Sequence, residues 1–341
     1  MLLPPEPAPM PTPPRRRRSG ASGLLTLAVF PLVSAQFAAG QSLRVQELWR
    51  HSGPGIPWVA GGVVTGSTVV LLDGVTKDLV EVNWVAGTRR TLRLPGPGSP
   101  DFIGPASDGL AALSIEGRAI RVFSLEGEPR EIRHFRVPAQ VYFPKGLVVT
   151  PDGALLAAGM DGSVHGVHVL DPDGTIRARS VPNPNASTPL VARMLAGGVL
   201  TVSGSGEVLL SQADSHLLSR LDPRSGNIEV IASDTAIQPP VGDAFRRESA
   251  DGRSRSRWHF PRGAGAARLP DGSLIHVIRF AEEGWSLWEL YGPRGGLLGR
   301  VRLEGAYELW GLTADGRVVA TVLKEGVESV PVLLKIDYGG G

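Results

Sequence analysis

A turn closing on glycine between two short apolar runs recurs six times along this 341-residue chain. It stands at Thr65-Gly66 before STVVLL, Asp108-Gly109 before LAALSI, Asp152-Gly153 before ALLAAG, Gly197-Gly198 before VLTVSG, Asp271-Gly272 before SLIHVI and Asp315-Gly316 before RVVATV. The turn glycines are 43, 44, 45, 74 and 44 residues apart, so one period of about 44 fits every interval if the fourth carries an insert of about 30. Regular spacing over this length argues for one repeat domain rather than two unrelated ones.

Within each period the apolar residues alternate in short runs broken by turn residues, the pattern of a four-stranded antiparallel meander. The repeats read as 57–94, 102–137, 141–181, 190–231, 264–303 and 307–338, and the last supplies only three strands. One orphan segment, SLRVQELWR at 42–50, precedes the first repeat and alternates like a strand. The count balances if this segment becomes the outer strand of the last repeat. The expectation is therefore an all-β fold, a six-bladed β-propeller of four-stranded antiparallel blades over 42–338. Its ring is closed by the N-terminal strand pairing with the last blade, which leaves only short protected edges. Gly61, Gly104 and Gly311, each five residues before its turn glycine, fit inner strands that converge on an axis.

The N-terminal stretch has its own character. A Pro-rich start, in which Met10 is an alternative first residue, leads to Arg15–Arg18 and then to the apolar run LLTLAVFPLVSA, ending Val33-Ser34-Ala35. This order matches a secretory signal peptide over 1–35, with cleavage after Ala35 or, second, after Gly40, and the run is too short to span a bilayer as a helix. A twin-arginine route ranks below the general one, because Ser19-Gly20-Ala21 lacks the rest of that pattern. The sequence has 35 Lys plus Arg against 33 Asp plus Glu, and 31 against 32 without residues 1–35. A neutral body offers no net field for a polyphosphate backbone, so nucleic acid is an unfavoured partner. Cysteine is absent, which excludes disulfides and an N-terminal lipid-modified cysteine. The expectation is a periplasmic or secreted monomer with no stable membrane insertion.

The phrase STVVLLDGVTKDLVEV, with Asp73 ending a strand, and the link LPGPGSPDFIGPASDG resemble the bacterial six-bladed propellers of the NHL-repeat and TolB-like group. The resemblance spans roughly Val45 to Ile336 and implies a fold and an extracytoplasmic setting. It brings no catalytic residues, since this fold carries enzymes, ligand binders and interaction platforms alike.

Chemistry-bearing patterns are sparse. His165 and His168 form the closest histidine pair, but residues three apart on a strand face opposite sides and do not chelate one ion. Asp171 and Asp173 fit a type I turn, Asp171-Pro172-Asp173-Gly174, better than a calcium loop. The asparagines Asn83, Asn183, Asn185 and Asn227 do not assemble the dispersed metal shell of the sugar-lactone hydrolases of this fold, and the Asn185-Ala186-Ser187 sequon reads as chance. No nucleophile elbow or phosphate-cradling loop occurs. No metal or cofactor is expected, and no catalytic residue is assigned.

The repeat is interrupted at Ser233–Gly263, which carries Arg246, Arg247, Arg253, Arg255, Arg257 and Arg262 interleaved with Phe245, Trp258 and Phe260. This insert is the leading candidate for contact with a protein or a small anionic ligand, against the alternative of a solvated loop. Arg193, standing where three other repeats have glycine, is a second candidate for a cation near the axis, against a structural ion pair. The function expected is a non-enzymatic binding or interaction propeller of the cell envelope. The alternative is a lactonase-like hydrolase with its site in the axial funnel.

Overall fold

The computed structural model describes residues 43–339 except 108, 115–117, 140, 162–163, 172, 181–197, 204–205, 213–215, 233–244, 251–252, 259–261 and 325–327. Side chains at 142–145, 160–161, 164–165, 245–250, 253–258 and 324 also lie outside the description. All described residues belong to one compact unit, Gly40–Gly341. The signal-peptide reading of 1–35 and the sequon at Asn185 fall outside the described residues.

Every regular element described is a strand. After β1 (Arg44–Arg50) comes a meander of β2 (Val59–Thr65), β3 (Thr68–Asp73), β4 (Leu79–Asn83) and β5 (Thr88–Leu92). A second follows in β6 (Phe102–Ala106), β7 (Gly109–Ser114), β8 (Ala119–Ser124) and β9 (Arg130–Arg136). The third is β10 (Val141–Val149), β11 (Leu155–Asp161), β12 (Val164–Leu170) and β13 (Ile176–Ser180). The fourth is β14 (Gly198–Val202), β15 (Val208–Gln212), β16 (Leu218–Leu221) and β17 (Ile228–Ala232). A separate hairpin, β18 (Phe245–Ala250) with β19 (Arg253–Trp258), leads to the fifth meander: β20 (Arg262–Arg268), β21 (Leu274–Phe280), β22 (Trp285–Tyr291) and β23 (Leu297–Glu304). The last strands are β24 (Ala306–Leu312), β25 (Val318–Lys324) and β26 (Glu328–Asp337), and β1 completes their sheet by pairing antiparallel with β26 from Arg44↔Asp337 to Arg50↔Val332.

The result is a propeller-like arrangement of four-stranded sheets. The first strands of consecutive meanders adjoin in cyclic order, β2 beside β6, β6 beside β10, β10 beside β14, β14 beside β20, β20 beside β24, and β24 beside β2. Between β6 and β10 the approach is close enough for one parallel pair, Val149↔Ala106, which joins the second and third meanders into one eight-stranded sheet. Glycine makes this possible: a Cβ at Gly104 would sit 1.9 Å from the Leu147 carbonyl oxygen.

Each step buries its own apolar cluster, because alternate residues of every middle strand face the neighbouring sheet on either side. Leu110, Ile103 and Phe123 pack with Val70 and Leu72 between the first two meanders, and Trp310, Val319 and Leu333 pack with Val69 and Leu71 between the last sheet and the first. The cluster between the fourth and fifth meanders is the smallest among the described residues, six side chains including Leu209, Ala266 and Tyr291.

The turn between first and second strands is built alike in four meanders. The amides of Gly153, Gly206, Gly272 and Gly316 donate to the carbonyls of Thr150, Ser203, Leu269 and Thr313 at 2.9 Å, with glycine φ between 80° and 88°, a region that disfavours side chains. The fourth member corrects the sequence reading. Gly197-Gly198 is not a hairpin tip: Gly198 begins the first strand of its meander, paired with Gln212, and the tip is Ser203–Glu207. The SGSGE stretch lacks the Asp-Gly pair that marks the tips at Gly153, Gly272 and Gly316, whereas Gly197-Gly198 before an apolar run imitates it. The turn glycines of this fourth step are then 53 and 66 residues from their neighbours Gly153 and Gly272, so extra residues fall on both sides of the fourth meander. Among the described residues no helix is long and apolar enough to cross a membrane.

Candidate functional site

The insert does contain regular structure, which its lack of apolar alternation concealed. β18 and β19 pair in register Phe245↔Trp258, Arg246↔Arg257, Arg247↔Ser256, Glu248↔Arg255, Ser249↔Ser254 and Ala250↔Arg253. The hairpin therefore gathers Arg246, Arg247, Arg253, Arg255 and Arg257 on one short two-stranded ribbon, with Phe245 and Trp258 paired at its base; only their backbone positions are described. Arg193 lies outside the described residues, and the alignment that singled it out fails with the fourth turn. Five residues before the true tip glycine stands Thr201, not Arg193.

Thr201 takes over, by a different contact, the role glycine has elsewhere. At Gly61, Gly104 and Gly311 the neighbouring first strand comes against the backbone. Thr201 instead donates from its hydroxyl to the Ala266 carbonyl of β20 at 2.7 Å, buried.

Three charged side chains meet at the strand ends that follow the hairpin in the chain. Arg262, which begins β20, is the register partner of Arg279, near the end of β21. Both reach Glu308 of β24: Arg279 Nη1 donates to Glu308 Oε2 at 2.9 Å, and Arg262 Nη2 lies 3.7 Å from the same oxygen. Like charges directly opposite on neighbouring strands repel, and the carboxylate between them offsets this. Burial, with the like charge of Arg262, holds the Arg279 guanidinium down to about 10, while Glu308 opposes the shift. Arg279 Nε is buried without a hydrogen-bond partner among the described residues.

On the side of the glycine turns a cleft of about 860 Å³ lies between the tips of the third, fourth and fifth meanders. Among its lining residues is Glu207, which accepts from Arg220 Nε at 2.5 Å and from Arg268 through both Nε and Nη2. Burial pushes this carboxyl up, but the hydrogen bonds from Arg268 and Arg220 outweigh it and hold it below its ordinary range. Acids and bases balance here, with Asp152, Glu207 and Asp222 against Arg220, Arg224 and Arg268.

Sequence reading missed a buried polar joint between the fourth and fifth meanders. Ser211 Oγ is 3.0 Å from His276 Nε2 and accepts from Gly265 N–H at 3.2 Å. His276 Nδ1 faces Glu289 Oε2 at 3.6 Å, and Glu289 accepts from Tyr291 Oη and Arg300 Nε, each at 2.7 Å. Serine, histidine and carboxylate thus follow one another as in a nucleophile relay. Ser211 and His276 are fully buried and Glu289 is 1% exposed, so no substrate reaches the hydroxyl. The set works as a joint: with Thr201–Ala266 and Glu207–Arg268 it crosses the step where the apolar cluster is smallest. The contacts that cross the step join residues 54 or more apart in the chain, and no local motif marks them.

Asp171 and Asp173 close their turn, Gly174 N–H donating to the Asp171 carbonyl at 2.9 Å and Thr175 N–H to Asp173 Oδ1 at 2.8 Å. His168 is fully buried in β12, and the His165 side chain is not described. Among the described residues no three His, Asp or Glu side chains are close enough to share a metal ion.

No family model matches the chain, and no curated protein matches it. Solved structures do. A protein from Bacteroides fragilis NCTC 9343 whose name only suggests export aligns at TM-score 0.52 and 11% identity over 88% of this chain and 96% of that one. Virginiamycin B lyase from Staphylococcus aureus aligns at TM-score 0.47 and 14% identity over 88% and 89%, and a set of WD40 repeats at 0.49 and 14% over 87% and 98%. At such identities the likeness concerns the fold alone; the sheets themselves give this chain an all-β, propeller-like arrangement of four-stranded units.

Proposed function

We propose that this chain is an exported six-bladed β-propeller of the NHL-repeat and TolB-like kind, acting in the bacterial cell envelope as a non-enzymatic binding module. Its partner is a protein or a small anionic ligand, met on the side that bears the insert. The observation that carries this reading is the β18–β19 ribbon, whose register gathers five arginines and which joins, four residues later, the Arg262–Arg279–Glu308 cluster. Six first strands in cyclic contact, with β1 completing the last sheet, support the blade number. The signal-peptide pattern read over 1–35 supports export to the periplasm or beyond, and the protein is proposed to act there as a monomer. The lactonase-like alternative would need ligands for an axial ion that the described residues do not bring together.

The test replaces Phe245–Trp258 by a short Gly-Ser link. Circular dichroism should keep its β signature, because the ribbon forms its own two-stranded sheet. Chemical cross-linking in intact cells should trap a defined partner with the parent protein and none with the shortened one. Equal trapping by both would exclude the ribbon as the contact. A stoichiometric calcium or zinc in the purified protein would favour the hydrolase.

A further inference from the structure

The geometry points to a small oxyanion site where the fifth meander meets the last sheet, in which Arg262 and Arg279 bind a carboxylate or phosphate group that competes with Glu308 for the same donors. This rests on the reading that the insert-bearing side receives an anionic ligand, and it names the residues that would do so.

Among the described residues two guanidinium groups share one carboxylate, so the cluster carries one positive charge more than it neutralises. Burying such a charge is costly unless an anion joins it. Arg279 is the deeper cation, its side chain 10% exposed, and its only hydrogen bond within the described residues goes from Nη1 to Glu308. Its Nε–H is buried and unpaired, although a guanidinium carries five donors. The depressed pKa of Arg279 expresses the same imbalance as a tendency to lose the charge. Arg262 is 31% exposed, so the cluster is open on its side. At 3.7 Å from Glu308, Arg262 holds the carboxylate loosely and has donors left for a second oxyanion. The other arginine–carboxylate centre, Arg220–Glu207–Arg268, differs in the features that matter: both arginines bond Glu207 directly, and Arg220 is balanced further by Glu229 at 3.1 Å.

The full chain is titrated by calorimetry with inorganic phosphate and, separately, with acetate, chloride keeping the ionic strength constant. Saturable binding of either is expected in the parent protein. Arg262→Gln, at a part-exposed position where folding is not at stake, should weaken it by on the order of ten-fold. Glu308→Gln should tighten it, because the carboxylate no longer competes for the same donors. Absence of saturable binding, equal binding by Arg262→Gln, or weaker binding by Glu308→Gln would overturn the site. The ribbon deletion separates the two readings: phosphate binding kept by the shortened chain while its partner is lost places the partner contact on the ribbon and leaves this site standing. Arg262→Gln that loses phosphate yet keeps the partner tells the reverse dependence apart.

Discussion

Thr201 donates its hydroxyl hydrogen to the carbonyl oxygen of Ala266, 2.7 Å away on the first strand of the next sheet, and this bond is fully buried. Thr201→Val keeps the shape and removes the donor, stranding the carbonyl. It should lower stability by about 1–3 kcal/mol in urea unfolding, while Thr201→Ser should recover most of the loss.

Close approach of first strands makes a sharper demand at Gly104. Gly104→Ala places a methyl group 1.9 Å from the Leu147 carbonyl, backbone that has no easy retreat. The cost should sit at or above the top of the ~1–3 kcal/mol typical of overpacking. Gly87→Ala is the comparison: nothing lies within 4 Å, and its φ of 65° costs only about 1–2 kcal/mol. Thermal midpoints of the two variants should rank in that order.

Glu207 gives the joint of the fourth and fifth sheets an acid limit. Its carboxyl is held below the ordinary 4.5 by Arg268 and Arg220 against the opposing push of burial. A depressed folded value means that its contribution is complete above the unfolded pKa and drains away as pH falls through the folded one. Stability measured from pH 7 down to 3 should therefore fall more steeply below pH 4.5 in the parent protein than in Glu207→Gln, which starts lower at neutral pH.

The buried chain Ser211–His276 should behave as a unit. Ser211→Ala strands both His276 Nε2 and the Gly265 amide and should cost about 1–3 kcal/mol. Adding His276→Leu should cost less than the two changes separately, since each removes the same bond. A double-mutant cycle in urea reads the coupling; additive costs would show that the pair is not coupled.

How much of this was open to reading from the residues alone depended on whether the signal was local. Asp152-Gly153, Asp271-Gly272 and Asp315-Gly316 announce their turns because the acid serves the turn itself, as where Thr150 Oγ1 donates to Asp152 Oδ1 at 2.5 Å. Ser203–Glu207 forms the same turn without that acid, so spacing alone shifts the fourth register and puts Arg193 at the position that Thr201 occupies. The ribbon was hidden for another reason. Alternation reports burial on one face, and a strand such as Arg253-Ser254-Arg255-Ser256-Arg257 has no apolar face to report. Arg279 and Glu308 escaped notice because their meeting depends on two sheets packing, which no spacing in the sequence encodes.

The pairing of β1 with β26 also sets an order of events. Arg44 leaves the ribosome long before its partner Asp337. Until the last strand arrives, β1 has no sheet to join, and the sheet that waits for it has an open edge at β26. Contacts of such large sequence separation form late and slowly. Maturation should therefore be governed by one final docking step, and a holding factor would act best on the segment Arg44–Arg50 while it waits.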